Sequence, residues 1–318
     1  MRIAHVSDVH LLSLDHPGLL EWANKRWTGG VNLALNRGKH YQTAVFDALV
    51  DDVNALGVEH VACTGDVTNL AFESEFRFAR EHFARFARGP AHVTCIPGNH
   101  DTYVASAAGA FERLFAEHCA SDAGFGDAAG APWPVVRVRG DVAIVGLSTS
   151  QASPWFLAYG SIGAEQLARF EKALGDPRLA DKFRLVMVHH PPAGPYAKKW
   201  TRHLRDHEAF AGVIARCGAD LVLHGHEHRD LTAELAGPGG ALVPVRGIQS
   251  GTYDPGPAPF ARGGKAAAHA ESHRARYRIY TVERVAGGKP RLVAEELRGW
   301  RPDQGRFESE GERKLAAA

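Results

Sequence analysis

Carboxylate, amide and imidazole side chains gather directly after five short apolar runs of this 318-residue sequence. In chain order they are Asp8 and His10, Asp66, Asn99 with His100 and Asp101, His189, and His226 with His228. The runs that precede them end at Val6, Cys63, Ile96, Val188 and Leu223. Because ligands bind outside the carboxyl ends of the strands in open α/β sheets, we expect these side chains to converge at one edge.

Seven of these side chains, two Asp, one Asn and four His, form a set of metal ligands. A set that mixes oxygen and nitrogen donors suits Mn, Fe, Zn, Co or Ni better than Ca or a Mg site. Seven ligands are too many for one tetrahedral zinc. They suit two divalent ions that share a bridging carboxylate and keep positions open to solvent.

Such a centre would be an anion trap in a protein whose formal net charge is only +1. The charges of two divalent ions, two aspartates and a bridging hydroxide sum to about +1. Such a centre would bind an anion, and phosphate fits it. Coordination to such ions would lower the pKa of bound water and supply a hydroxide able to attack phosphorus in line. His100 is not needed as a ligand and is free to protonate the leaving oxygen.

Strands and helices alternate in the part of the chain that carries these residues. The apolar runs predict buried strands at 3–6, 58–63, 92–96, 142–147, 185–188 and 221–223. Helical spacing of apolar residues predicts helices between Ala44 and Leu56 and between Phe72 and Phe86. This alternation is typical of α/β proteins. After residue 230 the pattern predicts strands with little helix, at 241–248, 276–283 and 292–297, which we expect to form a second, more antiparallel sheet.

The motifs together resemble the calcineurin-like metallophosphoesterase superfamily. They are Asp8-x-His10, Gly65-Asp66, Gly98-Asn99-His100-Asp101, His189-His190-Pro191-Pro192 and Gly225-His226-x-His228, in this order. The resemblance implies a two-sheet, mixed β-sandwich flanked by helices, a four-layer α/β fold with the dinuclear site at the sheet ends. It further implies that Asp8, His10, Asp66 and His228 hold one ion and that Asp66, Asn99, His189 and His226 hold the other. By the same analogy Asp66 bridges, and His100 binds phosphate and assists the leaving group, oriented by Asp101.

Three further polar residues adjoin the predicted ligands, and we expect none of them to bind metal. Strand alternation puts His189 and His190 on opposite faces, so only one of the two reaches the site readily, and the family pattern favours His189. His190 and His224 are then expected to be structural. Glu227 lies between two ligands and is expected to point away from them.

An insertion at 19–41 separates the first strand from the first helix and interleaves aromatic with basic side chains, among them Trp22, Lys25, Arg26 and Trp27. One interpretation is a cap that selects the substrate or makes peripheral contact with an anionic lipid surface. The other is a solvated helix pair whose Trp side chains pack on the core. The sequence leaves both open, and it leaves the oligomeric state unknown. We otherwise expect a single domain over 1–313, followed by an expression-vector remnant at 314–318.

The remaining composition excludes several classes of protein. A net charge of +1 gives no strong signal for nucleic-acid binding, and no stretch is apolar and long enough to span a membrane. The four cysteines form no CxxC pair, which favours reduced thiols and a cytoplasmic location. Of the 18 histidines, five occupy the predicted site.

The expected function is therefore metal-dependent phosphoester hydrolysis with a small phosphodiester or pyrophosphate substrate. The resemblance of 99–101 and 189–192 to bacterial class III cyclic nucleotide phosphodiesterases favours diesters. The alternative is a lipid or nucleotide-sugar pyrophosphatase resembling the UDP-2,3-diacylglucosamine hydrolases. A scaffold without enzyme activity on the same fold is disfavoured by the complete ligand set.

Overall fold

The computed structural model describes residues 1–13, 15, 25–27, 40–127, 130–254, 273–285 and 287–315. Within these residues there are twelve strands: β1 (Arg2–Val6), β2 (His60–Cys63), β3 (Val93–Cys95), β4 (Val135–Arg139), β5 (Val142–Gly146), β6 (Phe183–Met187), β7 (Leu221–His224), β8 (Leu231–Ala236), β9 (Leu242–Gly247), β10 (Arg276–Arg284), β11 (Pro290–Arg301) and β12 (Arg306–Lys314). The α-helices of the same residues are α1 (Thr43–Ala55), α2 (Glu73–Phe83), α3 (Ala110–Leu114), α4 (Ala116–Cys119), α5 (Ala164–Leu174) and α6 (His207–Cys217).

The strands form two mixed sheets of six, in the orders β12-β11-β10-β1-β2-β3 and β4-β5-β6-β7-β9-β8. In the first sheet β1, β2 and β3 are parallel and β10 to β12 extend them in antiparallel fashion. In the second sheet β5, β6, β7 and β9 are parallel, with β4 and β8 antiparallel at the edges. The α/β fold of two mixed sheets and helices predicted from the sequence is thus confirmed.

Alternation along β6 shows how the layers are built. Phe183, Leu185 and Met187 join a core that also contains side chains of the first sheet, whereas Val186 packs with α5 and α6. A strand with apolar residues on both faces is buried on both sides. The second sheet therefore lies between the first sheet and its own helices.

Helix α1 covers strands of the first sheet. Its apolar side chains, including Phe46 and Leu49, are fully buried, and its Asp52 receives hydrogen bonds from Tyr277 of β10 and Arg298 of β11. The helix ends shortly before Gly57. This glycine has a left-handed φ of 62°, and its N–H donates a hydrogen bond to Asn54 O.

The strands after residue 230 do not form a separate sheet. β8 and β9 join the second sheet, and β10 to β12 join the first. Strand pairing is a long-range choice that local alternation does not specify, and here β10 pairs with β1 from the opposite end of the chain. The expectation of a second sheet built from these segments alone is wrong.

Two other sequence-based expectations concern segments that lie partly outside the described residues. Of the insertion at 19–41 only 25–27, 40 and 41 lie within the described residues. At the other end Lys314 is the last residue of β12, and Leu315 N–H donates to Val293 O. None of the helices in the described ranges is long and apolar enough to cross a membrane.

Candidate metal centre

Most of the predicted ligands sit in an unusual backbone conformation just past the strand ends. Asp8, His10, Asp66, His226 and His228 all have positive φ, between 45° and 73°. L-residues adopt this region rarely and at a cost, and such strain clusters at functional sites. Backbone hydrogen bonds hold it in place, since Asp8 N–H donates to Gly65 O and His10 N–H donates to Asp66 O, both at 2.9 Å.

Four of these side chains form the first half of the site. One ligand atom from each of Asp8, His10, Asp66 and His228 lies within 4.8 Å of all the others. His228 Nε2 is 3.2 Å from Asp8 Oδ1 and 3.3 Å from His10 Nε2. The set of residues is the one that the resemblance implied for one ion.

The second half adjoins the first through Asp66. His189 Nε2 lies 3.4 Å from Asp66 Oδ2 and 3.1 Å from Asn99 Oδ1. His226 Nδ1 lies 2.8 Å from the same Asn99 oxygen. Asp66 Oδ2 is also 3.9 Å from His10 Nε2, so one carboxylate oxygen faces ligands of both halves.

The hydrogen-bond partners of the ring nitrogens fit the binding of metal ions. His10 Nδ1 donates to Thr68 O at 3.1 Å, and His189 Nδ1 donates to Thr64 O at 2.7 Å. The Nε2 atoms of neutral His10 and His189 therefore carry lone pairs that face carboxylate and amide oxygens. Converging lone pairs repel one another unless a proton or a metal ion lies between them. This arrangement matches metal-bound histidine, whose second nitrogen is held by a carbonyl oxygen.

The electrostatics of the buried cluster favour a cation. Burial alone would raise the pKa of Asp8, but the charge and contact of His228 together with the charge of His189 outweigh it and lower this pKa to about 2. Burial would likewise lower the pKa of His189, but the charge of Asp66 and its contact with the ring raise it to about 9. Burial would also raise the pKa of Asp66, but the neighbouring His189 and His100 hold it well below its usual range. Two ionised carboxylates are thus buried among imidazoles, and their charge stabilises protons or metal ions at the ligand nitrogens.

Glycines in the motifs let backbone reach the carboxylates. A Cβ on Gly98 would collide with the Asp66 carboxylate, and a Cβ on Gly225 would collide with Ser7 Oγ and the Asp8 carboxylate. Glycine is therefore required at 98 and 225, because the backbone there packs directly against a ligand carboxylate.

His100 stands beside the ligand cluster with its own ring held in place. Its Nδ1 donates to Asn69 O at 2.6 Å, and its ring packs edge-on against His10 with 4.7 Å between centroids. Its backbone N–H donates to Asp66 Oδ1 at 2.7 Å. With Nδ1 committed to a carbonyl oxygen, Nε2 is the atom that can carry a proton to a leaving group.

Asp101 does not orient His100, which is the role that the resemblance implied for it. Its two carboxylate oxygens accept the backbone N–H groups of Val67, Thr68 and Gly98 and the hydroxyl of Thr68, at 2.9 to 3.2 Å. These four bonds occupy the acceptor positions of a carboxylate. The residue that orients the His100 ring is therefore Asn69. Asp101 instead connects the loops that follow β2 and β3.

Sequence reasoning missed Asn69 and Tyr41, which act on the ligand shell. Asn69 Nδ2 donates to His10 O at 2.5 Å while its own carbonyl holds His100. The Tyr41 hydroxyl lies 3.0 Å from His228 Nδ1. Neither residue belongs to the motifs. The sequence indicates a role for Asn69 only through its position three residues after Asp66, and this position by itself is weak evidence.

His190 and His224 have structural partners, as expected. His190 Nδ1 accepts from Thr149 Oγ1 at 2.7 Å and its Nε2 donates to Ala158 O at 3.0 Å, so neither nitrogen is free for a metal. His224 Nδ1 donates to Gly225 O at 3.0 Å.

A cavity of about 290 Å³ opens over the ligand cluster. Besides ligands and His100, its described lining includes the cationic side chains of Lys199, Arg202 and Arg229. Glu227 lies in this wall, 3.5 Å from Lys199 Nζ and 3.5 Å from Arg202 Nε. The carboxylate thereby holds two cations at the cavity, where an anionic substrate would meet them.

Comparison with known proteins agrees with this geometry. Residues 1–230 match the family of calcineurin-like phosphoesterases, and the chain belongs to this family. Its members are metal-dependent hydrolases that normally bind two divalent metals. No curated protein matches the chain.

Solved structures share the fold at low sequence identity. A dimetal phosphatase from Danio rerio is 14% identical with a TM-score of 0.58, over 94% of this chain and 95% of that chain. A purple acid phosphatase from yellow lupin (Lupinus luteus) seeds is 10% identical with a TM-score of 0.52, over 97% of this chain. The match covers 52% of the lupin enzyme, so this chain spans about half its length.

Proposed function

We propose that the protein is a dinuclear metal-dependent phosphodiesterase. The observation that carries the proposal is the pair of ligand sets joined at Asp66, with the Nε2 face of His100 beside them. Asp8, His10, Asp66 and His228 would hold one ion, and Asp66, Asn99, His189 and His226 the other. When bound, two such ions supply Lewis acidity and activate water near neutral pH.

The chain's own groups bind the substrate and move the leaving-group proton. Lys199, Arg202 and Arg229 line the cavity and attract the non-bridging oxygens of the phosphoryl group. In its doubly protonated form His100 donates the Nε2 proton to the departing oxygen, while the Nδ1 proton stays on the bond to Asn69 O and keeps the ring in one orientation. An alkoxide leaves poorly unless it is protonated, so this histidine favours esters of ordinary alcohols.

The preference for diesters is supported by the resemblance of 99–101 and 189–192 to class III cyclic nucleotide phosphodiesterases. The experiment is an activity panel on Mn-reconstituted protein with bis-p-nitrophenyl phosphate, p-nitrophenyl phosphate, cyclic nucleotides and a nucleotide-sugar diphosphate. We expect the diesters to have the highest kcat/KM. Hydrolysis of monoesters alone would contradict the proposal, and preference for the sugar diphosphate would favour the pyrophosphatase alternative.

A cytoplasmic location stays a prediction. It is supported by the four cysteines, all of which are unpaired thiols. Fractionation that recovers the protein from an exported fraction would contradict it.

A further inference from the structure

Four large aromatic side chains are exposed on three segments near the cavity. Phe156 is 88% exposed, Trp200 72%, Trp27 64% and Trp155 50%. Large aromatic side chains are usually at least partly covered, and a group of exposed ones marks an interaction surface.

Hydrogen bonds bring the three segments together. Lys25 Nζ donates to Ser153 O at 3.2 Å and to Leu157 O at 3.1 Å, which places 25–27 against the turn that carries Trp155 and Phe156. Ala158 N–H donates to Thr201 O at 2.8 Å, which joins this turn to the segment of Trp200. Ala158 and Lys199 also line the metal cavity. We call the four aromatic side chains the aromatic rim, since their segments border the cavity.

The backbone presents Phe156 outward at a cost. Leu157 N–H donates to Pro154 O at 3.2 Å, which closes a turn, and Phe156 in this turn has φ of 65°. A bulky residue is disfavoured in the left-handed region, where glycine is the ordinary choice. Neither packing nor turn geometry explains a phenylalanine that is both strained and almost fully exposed.

The charge next to the rim is positive. Residues 195–205 contain Lys198, Lys199, Arg202 and Arg205 and no carboxylate, and residues 150–160 carry no charged side chain. Glu227 pairs with Lys199 and Arg202, which leaves Lys198 and Arg205 as the cations for this surface. Lys198 is exposed beside Trp200. Aromatic rings next to cations complement a bilayer surface, where rings lie at the headgroup level and cations meet lipid phosphates.

We propose that the aromatic rim, with the exposed cations Lys198 and Arg205 beside it, docks the protein on an anionic phospholipid bilayer. A nucleobase-stacking site would need rings that line the cavity, and none of the four rim side chains does so. Docking by this face would bring the metal cavity close to the headgroups, because the rim segments border it. The surface thus extends the lipid contact considered for 19–41 to two segments outside that insertion.

The test measures binding of the metal-loaded protein to vesicles by co-sedimentation, with phosphatidylcholine alone or mixed with phosphatidylglycerol. The rim variant is Trp155→Ser, Phe156→Ser and Trp200→Ser combined. The matched control is Leu242→Ser, which removes a 66% exposed apolar side chain from the start of β9, at the opposite end of that strand from the site. Thermal unfolding checks that both variants fold.

We expect the native protein to bind the anionic vesicles and the rim variant to bind them at least about tenfold more weakly, from the apolar area removed. The control should bind as the native protein does. Lys198→Ala should weaken binding about fivefold, and added salt should weaken it further.

Five outcomes would overturn the proposal. The first four are no binding by the native protein, equal binding by the rim variant, equal binding to neutral vesicles, and self-association that the rim substitutions abolish. A loss of kcat/KM for a soluble nucleotide in the rim variant would also overturn it, because the rings would then bind substrate. Vesicle binding is measured without turnover, so absence of hydrolysis would count against the proposed function and leave this result standing.

Discussion

His100 donates from Nδ1 to the carbonyl oxygen of Asn69 at 2.6 Å, so Nε2 is the ring nitrogen that can exchange a proton with a substrate. A backbone carbonyl accepts and never donates, so Nδ1 keeps its proton and Nε2 is the nitrogen that gains and releases one. The relationship gives the proposed general acid a defined direction beside the metal ligands.

Replacing His100 by Ala should lower kcat about 10²- to 10⁴-fold on a diester with an alkyl leaving group. The loss should be much smaller with a p-nitrophenolate leaving group, which departs without a proton. The measurement is kcat for both substrates, with metal content from elemental analysis. A variant that loses its metal would instead make His100 a ligand, and equal losses on both substrates would argue against proton donation.

Asp66 should matter to both metals because its Oδ2 faces ligands of both halves. We expect Asp66→Ala to retain fewer than one ion per chain after dialysis. Asn99→Ala should retain about one, because it removes a single ligand from one half. Metal analysis of the two purified variants distinguishes these cases, and equal retention would contradict a bridging position for Asp66.

Asp101→Ala should lower the free energy of unfolding by about 3–5 kcal/mol. The substitution leaves four buried donors, which hydrogen-bond to the carboxylate in the native protein, without an acceptor. Urea unfolding measures the change. Asp101→Asn keeps one acceptor oxygen and should lose less. If Asp101→Ala unfolds like the native protein but shows the leaving-group dependence of the His100 variant, the carboxylate acts on the histidine after all.

Glu75 should make stability depend on pH. Its carboxyl is fully buried in the first turn of α2, and although Leu70 and Phe72 N–H donate to it, burial raises its pKa from 4.5 to about 8. A raised pKa means that the contribution of Glu75 is complete below about pH 4.5 and is lost as the pH rises toward 8.

The matched experiment compares Glu75→Gln with the native protein. The free energy of unfolding of the variant relative to the native protein should rise by about 1.4 kcal/mol per pH unit between pH 4.5 and 8, and then level off. Chemical denaturation across this range measures it. A difference that does not change with pH would show that the carboxyl ionises in the fold.

Much of the fold could be predicted because it rests on local patterns. The apolar runs at 3–6 and 185–188 coincide with β1 and β6 within one to two residues, and the helical spacing of 44–56 coincides with α1. The pairing of β10 with β1 could not be predicted in this way, because it joins residues about 275 positions apart. Local periodicity contains no information about which strand becomes the neighbour.

The sequence by itself determined the chemistry of the candidate site. The types of seven side chains and their places after apolar runs were sufficient to indicate two metal ions, since donor type and number restrict the ions that fit. Tertiary structure decided the orientation of each group. Asn69, Tyr41, Thr64 and Thr68 come from other segments to fix the imidazole rings, and the bonds of Asp101 go to loop backbone instead of His100. Hydrogen bonds between distant segments depend on how the strands assemble, so only the folded chain specifies them.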